Sequence, residues 1–392
     1  MDDAAVLTLA ALEADGVGAG RLLQLRDAFG TVAAGIHAAV RGADPPPSFP
    51  RALFRGLPHR LELRAAARRV RAIRGAGLDA VCWDDARYPA PLWLDEEAPP
   101  PLLYLWGTLP GALSRPARRV RAAAIVGTRR PTGRGLALAR ELATLLAALD
   151  VTVISGLALG IDGAAHEGAL DGGGSTVAVL GGGHRYLHPP THRSLARRIV
   201  DAGGAVLSAY PPETRPEPHH FPERNRLVSG LSRLVVVVEA GLRSGAHSTV
   251  LHALRQHRDV FACPGRPGDP SVAGTLRLIR DGALPFTEHE DVLLRFRAEA
   301  GAPGRGRAAA RPAFGPVEDR LLAALDAVEE ATVDEVSLAA GLRVAEALAA
   351  LTALEMRGAA VRTRAGRYRL AGYERERRAA LREAAASRRA AS

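Results

Sequence analysis

Apolar residues recur along this chain with a period that changes from region to region. Over residues 4–40, Leu7, Leu9, Leu12, Leu22, Leu23 and Phe29 are spaced for one buried face and predict short helices. Gly16-Val17-Gly18-Ala19-Gly20 lies between them as a tight turn opening onto a helix N-terminus. Such a turn suits a phosphate contact through backbone N–H groups, and equally a plain helix–helix connection. Pro45 to Pro50 is a proline-rich break. Residues 58–76 read as an Arg-rich helix with Leu61, Leu63, Ala67, Val70 and Ile73 apolar. A short strand follows at 79–82. Arg87-Tyr88-Pro89 and the run 98–107 supply lead-in strands and turns.

From 121 to 285 short apolar runs alternate with amphipathic stretches. Strands are predicted at 122–126, 151–154, 176–180, 205–208, 234–238 and 259–262. Helices fall between them, for example at 133–147, 161–170, 192–201 and 246–256. Alternation at this pitch means an α/β architecture, a mainly parallel sheet with helices on both faces. The loops after the strands include Gly127-Thr128-Arg129-Arg130, Ser155 to Gly160 with Gly156 at its start, Gly181-Gly182-Gly183-His184, and Arg243 to Thr249. In a parallel sheet such loops share the carboxyl edge, where ligands bind. Glycine there admits close backbone approach, and helix N-termini favour anions. A phosphate-binding edge is therefore expected. The dinucleotide fingerprint GxGxxG is absent after the first strand of this series.

The stretch from Tyr210 to Gly245 concentrates the chemistry. His219, His220 and Phe221 offer flat faces on which bases can stack. Arg224, Asn225 and Arg226, in what reads as a loop, offer charged and neutral donors for phosphates. Leu234 to Val238 reads as a buried strand, and Arg243, Ser244 and Gly245 as a second polar loop. A solvated loop with a structural ion pair and Phe221 in the core is the plainer reading, and this stretch alone does not decide between them.

From 298 to 316 the composition shifts to Gly, Ala, Pro and Arg, a flexible linker. Amphipathic helices are predicted at 317–327, 332–341 and 344–357, followed by a hairpin over 361–370 with Gly366 at its turn. That is a winged-helix arrangement. Asp334, Glu335, Glu346 and Glu355 on its helices favour protein docking over a tight grip on duplex DNA. The tail from 373 to 392 is rich in Arg, Ala and Glu. Domains are thus expected at 1–76, 77–297 and 317–372, with the linker at 298–316.

Composition narrows the function classes. The 392 residues carry a net charge of +10, which favours a polyanionic partner. Every fixed cation is arginine; with no lysine there is no Walker A lysine and no Schiff base. Cys82 and Cys263 lie far apart, so neither a zinc site nor a disulfide framework is suggested. The start Met-Asp-Asp lacks a signal-peptide pattern and no apolar run approaches a membrane span, so a cytoplasmic protein with no membrane partner is expected.

Asp162 and His166, four apart, share a helix face. They read as an acid–base or metal pair, or as a capping carboxylate and a hydrogen-bonded histidine; the second is favoured because no third ligand sits at metal spacing. Glu239, at a strand end, reads equally as a buried partner of an arginine or as a catalytic group.

AIVGTRRPT (124–132), SGLALGIDGAAH (155–166), FPERNR with SGLS (221–232), VVEA with SGA (237–246) and the Pro264-Gly265 loop resemble the DNA-processing protein A (DprA/Smf) family. The resemblance covers nearly the whole chain. It implies an extended Rossmann-like domain, an N-terminal helical domain of helix-hairpin-helix or SAM type, and a C-terminal winged helix. It implies a non-enzymatic protein without cofactor or metal that protects incoming single-stranded DNA and loads the RecA recombinase in natural transformation. A homodimer through the Rossmann-like domain is implied too. DNA contacts are implied at Gly127, Thr128, Arg129 and Arg130, at Phe221 with a stacked base, and at Arg224 and Arg226. With the stretch described above, Gly156, His219, Asn225, Arg243, Ser244 and Gly245 complete the candidate site.

The chain departs from the family pattern at Ala246-His247-Ser248-Thr249-Val250 and at Leu276, where asparagine is common. Histidines at 219 and 220 predict a grip that weakens as pH rises. Two rival readings stand beside the leading one. A nucleotide phosphoribohydrolase would use Asp162, His166 or Glu239, although the GGxGTxxE motif is absent. A duplex-DNA regulator would act through 317–370.

Overall fold

The computed structural model describes residues 3–94, 99–114, 120–297, 315–328, 330–356, 360–362 and 366–370. Two compact units are present, Met1–Leu293 and Leu294–Ser392.

The first unit begins with α1 (Ala4–Leu12), α2 (Ala19–Phe29), α3 (Val32–Val40), α4 (Arg51–Arg60) and α5 (Leu63–Gly75). The single helix expected over 58–76 is two, because the chain turns extended at Leu61. These helices do not form a core of their own. Strand β1 (Asp79–Cys82) pairs antiparallel with β2 (Leu102–Gly107), and side chains along both alternate between faces. Ala80, Cys82, Leu102 and Tyr104 pack with Ala5, Leu9, Ala66 and Val70 of α1 and α5. Val81, Leu103 and Leu105 join Leu22, Leu25, Ile36, Phe54 and Leu57 of α2, α3 and α4. The boundary expected at 76/77 is therefore bridged by a shared apolar core.

The Rossmann-like part contains β3 (Ala122–Val126), α6 (Gly133–Ala148), β4 (Thr152–Ser155), α7 (Ile161–Asp171), β5 (Thr176–Val179), α8 (Arg193–Asp201), β6 (Ala205–Ser208), α9 (His220–Gly230), β7 (Leu234–Val237), α10 (Ala246–Arg255), β8 (Asp259–Ala262), α11 (Ala273–Arg280), β9 (Leu284–Pro285) and α12 (Glu290–Arg297). The nine-stranded sheet runs β1-β2-β6-β5-β4-β3-β7-β8-β9. From β6 to β9 every pairing is parallel, while β2 joins β6 antiparallel. The central strands are uninterrupted apolar runs, AAAIV in β3 and LVVV in β7, as burial on both faces requires. Strand order reverses at β3: the chain builds outward through β4, β5 and β6, then returns to place β7 on the other side. That switch point opens a crevice beyond the carboxyl ends of β3 and β7.

One segment corrects the sequence reading. Residues 219–226 were expected in a loop, yet His220–Gly230 is helical. Pro222 lies in the first turn, where its missing N–H costs no intrahelical bond. The apolar signal there is short, Leu227 and Val228, and gave no helical period.

In the second unit α13 (Pro316–Asp326), α14 (Val333–Ala340) and α15 (Val344–Met356) precede the hairpin β10 (Ala360–Arg362) and β11 (Tyr368–Leu370). Leu321, Leu325, Val336, Leu351, Leu354 and Tyr368 form its core. Thr332 and Glu335 make a reciprocal capping box on α14, and Gly341, left-handed at φ 64°, ends it. Of the predicted linker over 298–316, residues 298–314 lie outside the described residues while Pro316 already begins α13; the tail 373–392 also lies outside them. No single described helix is long and apolar enough to cross a membrane.

Candidate nucleic-acid interface

The crevice at the switch point is a cleft of about 550 Å³. Its floor and walls come from the loops after β3, β4 and β7 and from one side of α9. Gly127, Thr128, Arg129, Arg130, Gly156, Phe221, Arg224, Asn225, Arg243, Ser244 and Gly245 all line it. Of the residues proposed from sequence, His219, His220 and Arg226 do not.

The β3 loop is clamped rather than flexible. The Thr128 N–H donates to the Glu239 carbonyl at 2.7 Å, and the Thr128 carbonyl accepts from Ile161 N–H. A Cβ on Gly127 would lie 2.6 Å from Ile161, so only glycine fits. This fixed turn carries Arg129 and Arg130 outward, both exposed. Arg243 is exposed on the facing loop after β7. Among the described residues none of these arginines has a carboxylate within ion-pair distance, whereas Arg51, Arg74, Arg87, Arg140 and Arg185 each do.

Phe221 sits half-buried at the cleft wall. Its ring lies against Gly181, where a Cβ would come within 2.9 Å. The Arg129 guanidinium stands 5.6 Å from its centroid. His220, proposed as a second stacking face, is buried and held otherwise: its ring lies 4.2 Å from that of Tyr210 and its Nδ1 accepts from the Glu217 N–H. His219 is exposed outside the cleft, 3.6 Å from Glu217 Oε2.

Arg224 corrects the expectation of a phosphate contact. It is only 5 % exposed and donates to the carbonyls of Gly156 and Val179. Burial lowers its pKa to about 10, opposed by the charge of Asp162 and reinforced by that of Arg129, so it stays protonated at neutral pH. Asn225 is likewise engaged, donating to Ser248 Oγ at 2.7 Å and accepting from Arg224 Nε. Both residues brace the cleft, tying α9 to the β4 loop and to α10.

The anion-binding ends of α6 and α7 on this edge are filled from within. Glu239 accepts from the Thr132 N–H at 2.9 Å and its hydroxyl at 2.5 Å, at the N-terminus of α6. A Cβ on Gly135 would strike that carboxylate at 2.5 Å. The arginine partner expected for Glu239 is thus a threonine and a helix end. Asp162 accepts from the N–H groups of Gly156 and Ala158 before α7. Burial raises its pKa, against the pull of Arg224 and those two N–H groups. A phosphate cannot take the place it holds at the α6 end of a dinucleotide fold; the cleft instead presents exposed arginine side chains and the N-terminus of α10, whose N-cap residue, Gly245, has no side chain to cap it. Thr132 was missed from sequence, although a threonine three residues before Gly135 is an N-cap pattern.

His166 is fully buried, and its Nδ1 lies 2.7 Å from Thr176 Oγ1. That hydroxyl already donates to the Val153 carbonyl, so His166 Nδ1 carries the proton. Burial drops its pKa to about 3. The hydrogen-bonded reading of this histidine holds. The glycines after β5 serve close packing: Gly183 lies on the Pro211 and Pro212 carbonyls, where a Cβ would come within 2.3 Å.

Residues 79–297 match the sequence profile of the family described as DNA recombination-mediator protein A, and residues 305–366 match the DprA winged helix domain. The chain belongs to the DprA family. A DNA processing protein DprA of Bacillus subtilis is 36 % identical over 222 residues, 56 % of this chain and 72 % of that one. Protein Smf of Escherichia coli is 40 % identical over 237 residues, 59 % of this chain and 63 % of that one. The crystal structure of DprA from Streptococcus pneumoniae superposes with a TM-score of 0.59 at 28 % identity, covering 74 % of this chain and 97 % of that one. DprA membership makes this a DNA-processing protein. It also accounts for the architecture, a Rossmann-like sheet followed by a winged helix.

Proposed function

We propose that this protein binds single-stranded DNA without sequence preference in the switch-point cleft, and does so without catalysis. The observation that carries the reading is one cleft lined by Arg129, Arg130 and Arg243, exposed and among the described residues without a carboxylate at ion-pair distance, together with the half-buried ring of Phe221. Arginines neutralise phosphates and the ring stacks a base, a contact worth roughly 1–3 kcal/mol. Stacking needs an unpaired base, which selects single strands. Asp162, His166 and Glu239, the acid–base candidates, are spent on internal hydrogen bonds, which weighs against the phosphoribohydrolase reading.

We infer further that the bound strand is incoming DNA in transformation and that the protein acts in the cytoplasm as a homodimer that hands the strand to RecA; membership of the DprA family supports this reading. The winged helix then serves docking: its α14 exposes Leu338 to 84 %, beside Asp334 and Glu335. Equilibrium binding of matched single-stranded and duplex oligonucleotides over a salt series, with Phe221→Ala alongside, tests the core of this reading. Preference for single strands that Phe221→Ala reduces is expected. Equal binding of both forms, or no effect of the substitution, overturns it. RecA filament growth on single-stranded DNA coated with a single-strand-binding protein, with and without this protein, tests the loading step.

A further inference from the structure

The cleft does not end at Phe221. A side lobe beyond the ring is lined by Arg129, Leu159, Phe221, His188 and Pro189. The exposed His188 ring stands 6.0 Å from Phe221, edge to face. Two residues before it, Tyr186 is 38 % exposed. Tyr186 ends the short helical turn His184–Tyr186, and two residues span at most about 7 Å of backbone, so it lies near His188. The Arg215 guanidinium stands 4.8 Å from the Tyr186 centroid. Arg215 is exposed and, among the described residues, has no carboxylate within ion-pair distance, unlike its neighbour Arg185, which pairs with Glu213.

Tyr186 with Arg215 therefore repeats the unit found in the cleft, where Arg129 stands over Phe221. The two units are held in fixed relation. The loop carrying Tyr186 follows β5 and the loop carrying Arg215 follows β6. They are locked together by Gly183 N–H to the Thr214 carbonyl at 2.8 Å and by Arg185 N–H to the Pro212 carbonyl at 3.1 Å. The close packing of Gly182 and Gly183 against 211–216 makes that possible. β5 and β6 are neighbours in the sheet, next to β4.

We propose that Tyr186 and Arg215 form a second base-stacking and phosphate-binding subsite, so that a single strand lies along the carboxyl edge of the sheet from the β7 loop to the β6 loop. The proposal rests on the single-strand reading above and extends it. From β7 through β3, β4 and β5 to β6 is four inter-strand steps, about 19 Å at the usual spacing. A stacked strand rising about 3.4 Å per nucleotide places roughly six nucleotides on that edge. Each ring then accepts a base face while its arginine meets the adjoining phosphate, a sequence-tolerant mode.

The test is fluorescence anisotropy at fixed salt with the full chain, using oligothymidylates of about 4 and about 20 nucleotides, chosen to fill the cleft alone or to run past it. Tyr186→Ala and Arg215→Ala should weaken the long probe about 5- to 100-fold and leave the short probe within about twofold, with Tyr186→Phe close to wild type. If Phe221→Ala weakens the long probe and Tyr186→Ala does not, the subsite is wrong and the single-strand reading stands. If Tyr186→Ala weakens both probes equally, the extension is also wrong. A wild-type protein that binds neither probe overturns both readings.

Discussion

At the scale of single residues, the arginines lining the cleft divide by what surrounds them. Arg129 and Arg243 are exposed and, among the described residues, have no carboxylate at ion-pair distance, so Arg129→Ala should lower the salt slope of single-strand binding by about 0.7 and leave the melting temperature unchanged. Arg224 is the opposite case. Its removal takes a charged donor from the buried Gly156 and Val179 carbonyls. Arg224→Ala should cost on the order of 2–3 kcal/mol in urea unfolding. A stable Arg224→Ala protein with a flattened salt slope would return that residue to the phosphates. His166 supplies a pH prediction. Its pKa is about 3 in the fold against 6.5 when free. It is neutral in the fold, while the unfolded chain binds a proton below pH 6.5, so its contribution is intact above that pH and is lost as pH falls toward 3. The loss runs at about 1.4 kcal/mol per pH unit. The urea midpoint should drop more between pH 7 and pH 5 in wild type than in His166→Asn; equal drops would show that the histidine is not the proton acceptor.

At the scale of elements, the carboxyl edge is stiff because its helix ends are tied to neighbouring loops. Thr132 caps α6 through Gly135 N–H at 3.0 Å and also hydrogen-bonds Glu239 at the end of β7. One residue thereby couples the β3 and β7 loops that face each other across the cleft. Thr132→Ala should destabilise the fold by about 1–2 kcal/mol. It should also weaken single-strand binding, because Arg129 and Arg130 sit on the turn that Thr132 ends. Loss of stability without loss of affinity would show that the cap and the cleft are independent. The element least visible in the sequence was α9. Its helical start hides behind Pro222, and its role became plain only once Arg224 was seen reaching under the sheet edge while Phe221 faced the cleft.

At the scale of the whole molecule, every residue lining the cleft belongs to the unit Met1–Leu293. A chain ending at Arg297 should therefore keep wild-type affinity for single strands. A large loss on truncation would assign part of the grip to the winged helix and favour the duplex-regulator reading. The N-terminal helices belong to the same unit, since α1 and α5 cover one face of β1 and β2 while α2, α3 and α4 cover the other. A construction from 77 onward would expose both faces.

Strand positions, the alternation of elements and the gathering of Gly-rich loops on one edge were all legible from the sequence, because apolar runs and their spacing report local burial. The winged helix was legible for the same reason, through its amphipathic periods and Gly366. Motif order was enough to point to the DprA family. What the sequence left open is which polar groups face solvent and which face the protein. Arg224 and Arg129 are the same residue type on one cleft, yet one is buried under carbonyls and the other is exposed. Glu239, Asp162 and His166 carried the chemistry of catalysis until their partners, Thr132, two loop N–H groups and Thr176, were in place. Those partners lie 107 residues from Glu239, within six of Asp162 and ten from His166. Such pairings are set by how β3, β4, β5 and β7 lie side by side, and only the packed sheet decides them.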